Sequence, residues 1–128
     1  MEFDGTVLIV DDEPHIRKYI GLILRKLGTP TILEAANGEE AVAAYRKHHP
    51  DLVLRDVNMP VMDGMQALER ISLEHPDALV VMLTSLATRN IVERCLDLGA
   101  INFVRKDTPK ETIAKVLSDT IAEFLSAE

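Results

Sequence analysis

The chain has 128 residues, 47% hydrophobic and 27% charged, which supplies about 60 apolar side chains, enough for one well-buried core and too few for two. Lysine and arginine number 14 against 21 acidic residues, a net charge of −7, so repulsion disfavours a nucleic acid or an anionic membrane as direct partner and favours a cationic one. The apolar stretches are strand-sized against the roughly 20 residues a bilayer span requires, Met1-Glu2-Phe3-Asp4 starts no signal peptide, and the single cysteine, Cys95, permits neither an internal disulfide nor a cysteine-based metal site, so one cytoplasmic domain over residues 1–128 is expected.

The first β-branched run, Val7 to Val10, leads into a helical pattern in which Ile16, Ile20, Ile23, Leu24 and Leu27 form one stripe, with Pro14 in its first turn. Ile32 to Ala35 is a second strand and Glu39 to His48 a second helix. Leu52 to Arg55 follows as a strand, then Met65 to Glu74 as a helix opened by Asp63-Gly64. Leu79 to Leu83 is the fourth strand, and Thr88 to Leu98 is a helix closed by Gly99. After the strand Ile101 to Val104, Thr108-Pro109 opens a last helix carrying Ile113, Val116, Leu117, Thr120, Ile121 and Phe124 on one stripe. Most strands are continuously apolar, as expected when helices cover both faces of a parallel sheet, so the class is α/β and an antiparallel sandwich is excluded.

Ligands of open α/β sheets bind beyond the carboxyl ends of the strands, where strand order reverses. In this chain the first strand runs into Asp11-Asp12, the third into Asp56, the fourth into Thr84-Ser85 and the fifth into Lys106. If the first and third strands are neighbours, carboxylates from two loops meet. Crowded carboxylates repel, and one is driven toward protonation unless a metal neutralises them. Mg²⁺ suits such hard oxygen ligands and leaves positions for a phosphate oxygen, whereas no His or Cys set has zinc-site spacing. The Thr84 hydroxyl and the Lys106 ammonium suit the oxygens of a phosphoryl group. One member of the Asp11-Asp12 pair also suits the N-terminus of the first helix, but a cap needs only one.

These segments, Leu8-Ile9-Val10-Asp11-Asp12-Glu13-Pro14, Asp56-Val57-Asn58-Met59-Pro60 with Met62-Asp63-Gly64, Leu83-Thr84-Ser85, and Gly99-Ala100 with Phe103-Val104-Arg105-Lys106, resemble the receiver domains of two-component response regulators. The likeness runs from about Val7 to Phe124. It implies a flavodoxin-like, doubly wound (βα)5 three-layer sandwich with a five-stranded parallel sheet of order 2-1-3-4-5; the strand order enters through the resemblance. It further implies that Asp56 is the phosphoacceptor, that Asp11, Asp12, Asp56 and the backbone carbonyl of Asn58 hold Mg²⁺, and that Thr84 and Lys106 bind phosphoryl oxygens. Pro60 and Gly64 would shape the loop after the acceptor, and Phe103 resembles the aromatic switch position three residues before the lysine. The implied partners are a sensor histidine kinase or histidine phosphotransfer protein, and a downstream target protein or fused output domain. A chemotaxis-type single domain is expected, a monomer or weak phosphorylation-dependent dimer with no enzymatic turnover of its own. Its output face is expected on the fourth helix, fifth strand and last helix, around Ile91, Arg94, Cys95, Phe103, Arg105 and Lys110.

Three positions depart from the family pattern. Lys106 is followed by Asp107 instead of proline, which points to a trans bond and is similar to receivers fused to a helix-turn-helix output domain. Arg55 places a permanent charge beside the acceptor and is expected to point outward and stay hydrated. Leu86 stands where the family adjusts phosphate lifetime. Two alternatives stay open: a phosphorylation-independent adaptor of the same fold, and an aspartate-nucleophile phosphatase. Against the phosphatase, such enzymes resemble a pattern with the nucleophile just after strand one and a second aspartate two residues on, whereas this chain reads Asp11-Asp12-Glu13-Pro14. A flavin carrier is disfavoured because Asp11-Asp12-Glu13 would repel the flavin phosphate.

Overall fold

The computed structural model describes residues 4–56, 70, 71, 74, 79–84, 93, 96, 97, 100–106 and 108–124. Its five strands are β1 (Thr6–Val10), β2 (Thr31–Ala35), β3 (Leu52–Asp56), β4 (Val80–Thr84) and β5 (Ala100–Arg105). All neighbours pair in parallel, in the order β2-β1-β3-β4-β5. Three helices are fully traced: α1 (Pro14–Arg25), α2 (Gly38–His48) and α3 (Lys110–Phe124). Every strand of the sequence reading is present with each end within one residue of the reading, and the shifts make Asp56 and Thr84 the last residues of their strands. The helical patterns at 65–74 and 88–98 fall largely outside the described residues, and the few described residues within them (70, 71, 74, 93, 96 and 97) are helical.

Side-chain alternation along each strand divides the core between the two faces of the sheet. Leu8, Val10, Val53, Val80 and Met82 pack with Ala41, Val42 and Tyr45 of α2 and with Ile71. On the opposite face Val7, Ile9, Leu52, Leu54, Val81, Leu83 and Val104 pack with Ile20, Ile23 and Leu24 of α1 and Ile113, Leu117 and Ile121 of α3. Pro14 occupies the first turn of α1 as its fixed φ favours, and Asn37 caps α2 by accepting the Glu40 N–H at 2.9 Å. α3 starts one residue later than Thr108-Pro109 suggested: the Pro109 carbonyl accepts from Thr112 and Ile113, so Pro109 holds the capping position. α2 closes without a glycine. His49 takes φ 46° there and donates its N–H to the Tyr45 carbonyl at 2.9 Å.

The fifth strand carries an irregularity that fixes its phase. Val80 is opposite Ala100 and Val81 opposite Asn102, so Ile101 is an extra residue in β5. The slip sets Phe103 beside Met82 on the α2 face, where it is half-buried, and returns Val104 to the α1 and α3 face. The Asn102 side chain accepts the Phe103 N–H at 2.9 Å, so the bulge leaves that donor satisfied.

Gly21 gives one stability prediction. A Cβ built there would meet Ile32 Cδ1 at 3.7 Å and the Arg25 guanidinium at 4.0 Å, both ordinary contacts. Because glycine inside a helix costs entropy that alanine does not, Gly21→Ala is expected to stabilise the fold by about 0.5–1 kcal/mol, read from urea unfolding. A loss of stability would show that the α1–β2 contact has no room for a methyl group.

Candidate functional site

The strand register brings the functional side chains together. Val10 of β1 lies opposite Arg55 of β3, so Asp11 and Asp56 occupy the next rung, at the carboxyl edge of two adjacent central strands. Thr84 pairs with Arg105, and Lys106 follows immediately. β5 stands two strands from β3, roughly 10 Å at ordinary strand spacing. Only a long side chain crosses that distance, and the lysine stem does so past the end of β4.

Lys106 Nζ lies 2.7 Å from Asp11 Oδ2, 3.1 Å from Asp56 Oδ2 and 3.7 Å from Glu13 Oε1. Asp11 is fully buried, Asp56 is 6% exposed, and the Lys106 side chain is 12% exposed. Burial lowers the affinity of Lys106 for its proton, but hydrogen bonding and charge from Asp11 and Asp56 more than offset it, so its pKa stands above the ordinary 10.5. The ammonium is therefore fixed as a cation between two carboxylates.

Asp11 is constrained through every polar atom it has. Its N–H extends the β1–β2 ladder to the Ala35 carbonyl at 3.1 Å, and its Oδ1 accepts the Glu13 N–H at 2.9 Å. The second bond supplies part of the helix-start role considered for the aspartate pair, since Glu13 at the α1 boundary makes no side-chain cap of its own. The Asp11 carbonyl accepts from Arg17 Nη1 at 2.6 Å, and Arg17 Nε donates to Glu34 Oε1 at 2.7 Å. This arginine was missed in the sequence reading.

Oxygen atoms of Asp11, Asp12 and Asp56 all lie within 4.8 Å of one another, with Asp12 exposed and the other two buried. Three hard oxygen donors at that separation, with one edge open to water, fit a divalent cation of the Mg²⁺ class. Thr84 ends β4 as required, but its side chain lies outside the described residues. Asn58, Pro60, Gly64, Ser85, Leu86 and Asp107 also lie outside them, as do Ile91, Arg94 and Cys95 of the expected output face. Arg105 is exposed at the end of β5 and Lys110 is exposed at the start of α3.

Arg55 overturns an expectation. It is fully buried, and it is not without a partner in the fold. β3 is the middle strand of a sheet covered on both faces, and Arg55 stands one rung in from its end with Val10 and Met82 as register neighbours. No outward direction exists at that position.

Comparison with known proteins agrees with this architecture. The family described as response regulator receiver domain matches residues 7–118. The chain is 35% identical over 115 residues to the chemotaxis protein CheY of Bacillus subtilis, covering 90% of this chain and 96% of that protein. It is 41% identical over 118 residues to the transcriptional regulatory protein PdtaR of Mycobacterium tuberculosis, where it covers 92% of this chain but spans only 57% of the relative. Among solved structures, the CheX–CheY–BeF3–Mg²⁺ complex from Borrelia burgdorferi superposes with a TM-score of 0.86 at 36% identity, covering 95% of this chain and 90% of that one. The response regulator domain of Thermotoga maritima CheB superposes with a TM-score of 0.85 at 26% identity, covering 98% and 99% of the two chains. With its sheet order, its acidic strand ends and a match over nearly its whole length, the chain belongs to the response regulator receiver domain family of two-component signalling.

Proposed function

We propose that residues 1–128 act as one phosphoacceptor unit that takes a phosphoryl group on Asp56 from a histidine kinase, a phosphotransfer protein or a small phosphodonor. The observation that carries this reading is the Lys106 ammonium held between the buried carboxylates of Asp11 and Asp56, with Asp12 close enough to join them. An Asp56 oxygen attacks phosphorus as the bond to the donor's nitrogen or oxygen breaks, leaving an acyl phosphate and a released donor. Asp11, Asp12 and Asp56 would hold Mg²⁺, with the Asn58 carbonyl as the family's further ligand; bound there, the ion supplies charge neutralisation at the crowded oxygens. Lys106 pairs with the phosphoryl oxygens and keeps its proton throughout. A protein partner reads the result, either a separate target or a fused output domain. The CheX–CheY complex, whose name includes BeF3 and Mg²⁺, supports that class of partner and that chemistry.

The switch in this reading runs through β4 and β5. Phosphorylation adds close to two negative charges and three acceptor oxygens, drawing in the Lys106 ammonium and the Thr84 hydroxyl. Phe103, half-buried two strands from Arg55 in the same register row, then moves between two packings on the α2 face. It lacks a hydroxyl, so burying its ring strands no polar group. Amide chemical shifts with beryllofluoride and Mg²⁺ test the reading. Large changes are expected from residue 84 to about residue 112 in wild type, and much smaller ones in Thr84→Ala. Changes confined to α1 and α2 would contradict it. No helix among the described residues is long and apolar enough to cross a membrane.

A further inference from the structure

We infer that Arg17, held in place by Glu34, is a positioning residue for the acidic cluster: it fixes the peptide plane between Asp11 and Asp12 and thereby aims the Asp12 carboxylate at the cation site. The inference rests on the reading of Asp11, Asp12 and Asp56 as a divalent-cation site.

The geometry begins with the peptide group. The Asp11 carbonyl and the Asp12 N–H lie in one rigid plane, so a donor that holds the carbonyl sets the direction in which Asp12 leaves the end of β1. Arg17 Nη1 holds it at 2.6 Å, from the first turn of α1 and six residues along the chain. Asp11 itself is already fixed by the Ala35 carbonyl, the Glu13 N–H and Lys106. Asp12 is exposed, and Arg17 is the contact that constrains the peptide leading into it.

Glu34 makes the arrangement specific to arginine. Its carboxylate accepts from Arg17 Nε at 2.7 Å while a second nitrogen of the same planar guanidinium reaches Asp11. The Arg17 side chain is only 16% exposed, so it is held rather than swinging in solvent. Glu34 also offsets the arginine's charge. Arg17 can therefore stand beside a cation site without contributing the full repulsion of an unpaired positive group.

Electrostatics and positioning predict opposite signs, which makes the inference testable. Removing a positive charge near a cation site should tighten Mg²⁺ binding if charge is all that matters. If Arg17 positions Asp12, its removal should weaken binding despite the lost repulsion. Mg²⁺ titration of the whole chain, followed by calorimetry and by the amide signals of Asp12 and Glu13, separates the two. Arg17→Ala is expected to bind about tenfold more weakly, an illustrative factor of the size set by partners of metal ligands. Its Asp12 and Glu13 amide signals should already be shifted without metal. Arg17→Lys keeps the charge but cannot make both contacts, so it should fall between the two, and it serves if the alanine variant folds poorly. Glu34→Ala should weaken binding less, and adding it to Arg17→Ala should cost nothing further. Wild-type or tighter affinity in both Arg17 variants, with Asp12→Ala still losing Mg²⁺, overturns the inference alone. Failure of the wild-type chain to bind Mg²⁺ overturns the cation-site reading and this inference with it.

Discussion

Lys106→Met is expected to lower stability in EDTA at neutral pH by about 3–5 kcal/mol, the range for breaking a buried ion pair by removing one partner. Methionine retains most of the apolar stem, so the loss reports the ammonium. Without it, Asp11 at 0% exposure and Asp56 at 6% face each other with no cation between them. Saturating Mg²⁺ should recover a large part of the deficit, because the ion replaces the missing charge and binds only the folded arrangement. The pH dependence has a definite sign. Lys106 holds its proton more tightly in the folded state than the ordinary value of 10.5, so its contribution is complete below that value and disappears as pH rises through the folded-state pKa. Urea unfolding of wild type should therefore weaken above about pH 10.5, and the methionine variant should lack that part of the decline. Equal stability of the two proteins in EDTA would remove Lys106 from the site's electrostatics.

The strand ends were legible because two signals coincide there. Continuous apolar runs mark buried parallel strands; the first stops at Asp11 and the fourth at Thr84, while the third and fifth stop at Arg55 and Arg105, one residue before Asp56 and Lys106. The order 2-1-3-4-5 was not written in those runs; it came from the resemblance, and the register now supplies it. Arg55 was misread because its position near a strand end was judged without regard to β3 being central and covered on both faces. The Arg17–Glu34 contact had a faint signal. Glu34 is the one charged residue in Thr31–Ala35, and a helix follows β1 with arginine in its first turn, but pairing them requires knowing that β2 lies beside β1. The bulge at Ile101 had none, since Ala100 to Arg105 reads equally well as an unbroken strand. The closing turn of α2 was equally hidden, because His49 adopts the left-handed conformation that sequence rules reserve mainly for glycine and asparagine.

Asp56→Asn is expected to abolish phosphoryl incorporation. The amide is a far poorer nucleophile than the carboxylate and also takes one of the three carboxylate charges from the set that would hold Mg²⁺, which weakens the site. Lys106 would still be held by Asp11, so the variant should fold and provide a clean comparison. The alternatives predict different behaviour from the wild-type chain. A phosphatase would release phosphate continuously from acetyl phosphate, and a phosphorylation-independent adaptor would take up none. A receiver would take up at most one phosphoryl group per chain, in an acyl linkage cleaved by hydroxylamine. The most direct measurement is to treat the protein with acetyl phosphate and Mg²⁺, reduce the acyl phosphate with borohydride, and locate the modified residue by peptide mass spectrometry. The account predicts modification at Asp56 in wild type, none in EDTA and none in Asp56→Asn; equal labelling of Asp56→Asn, or modification at another carboxylate, would contradict it.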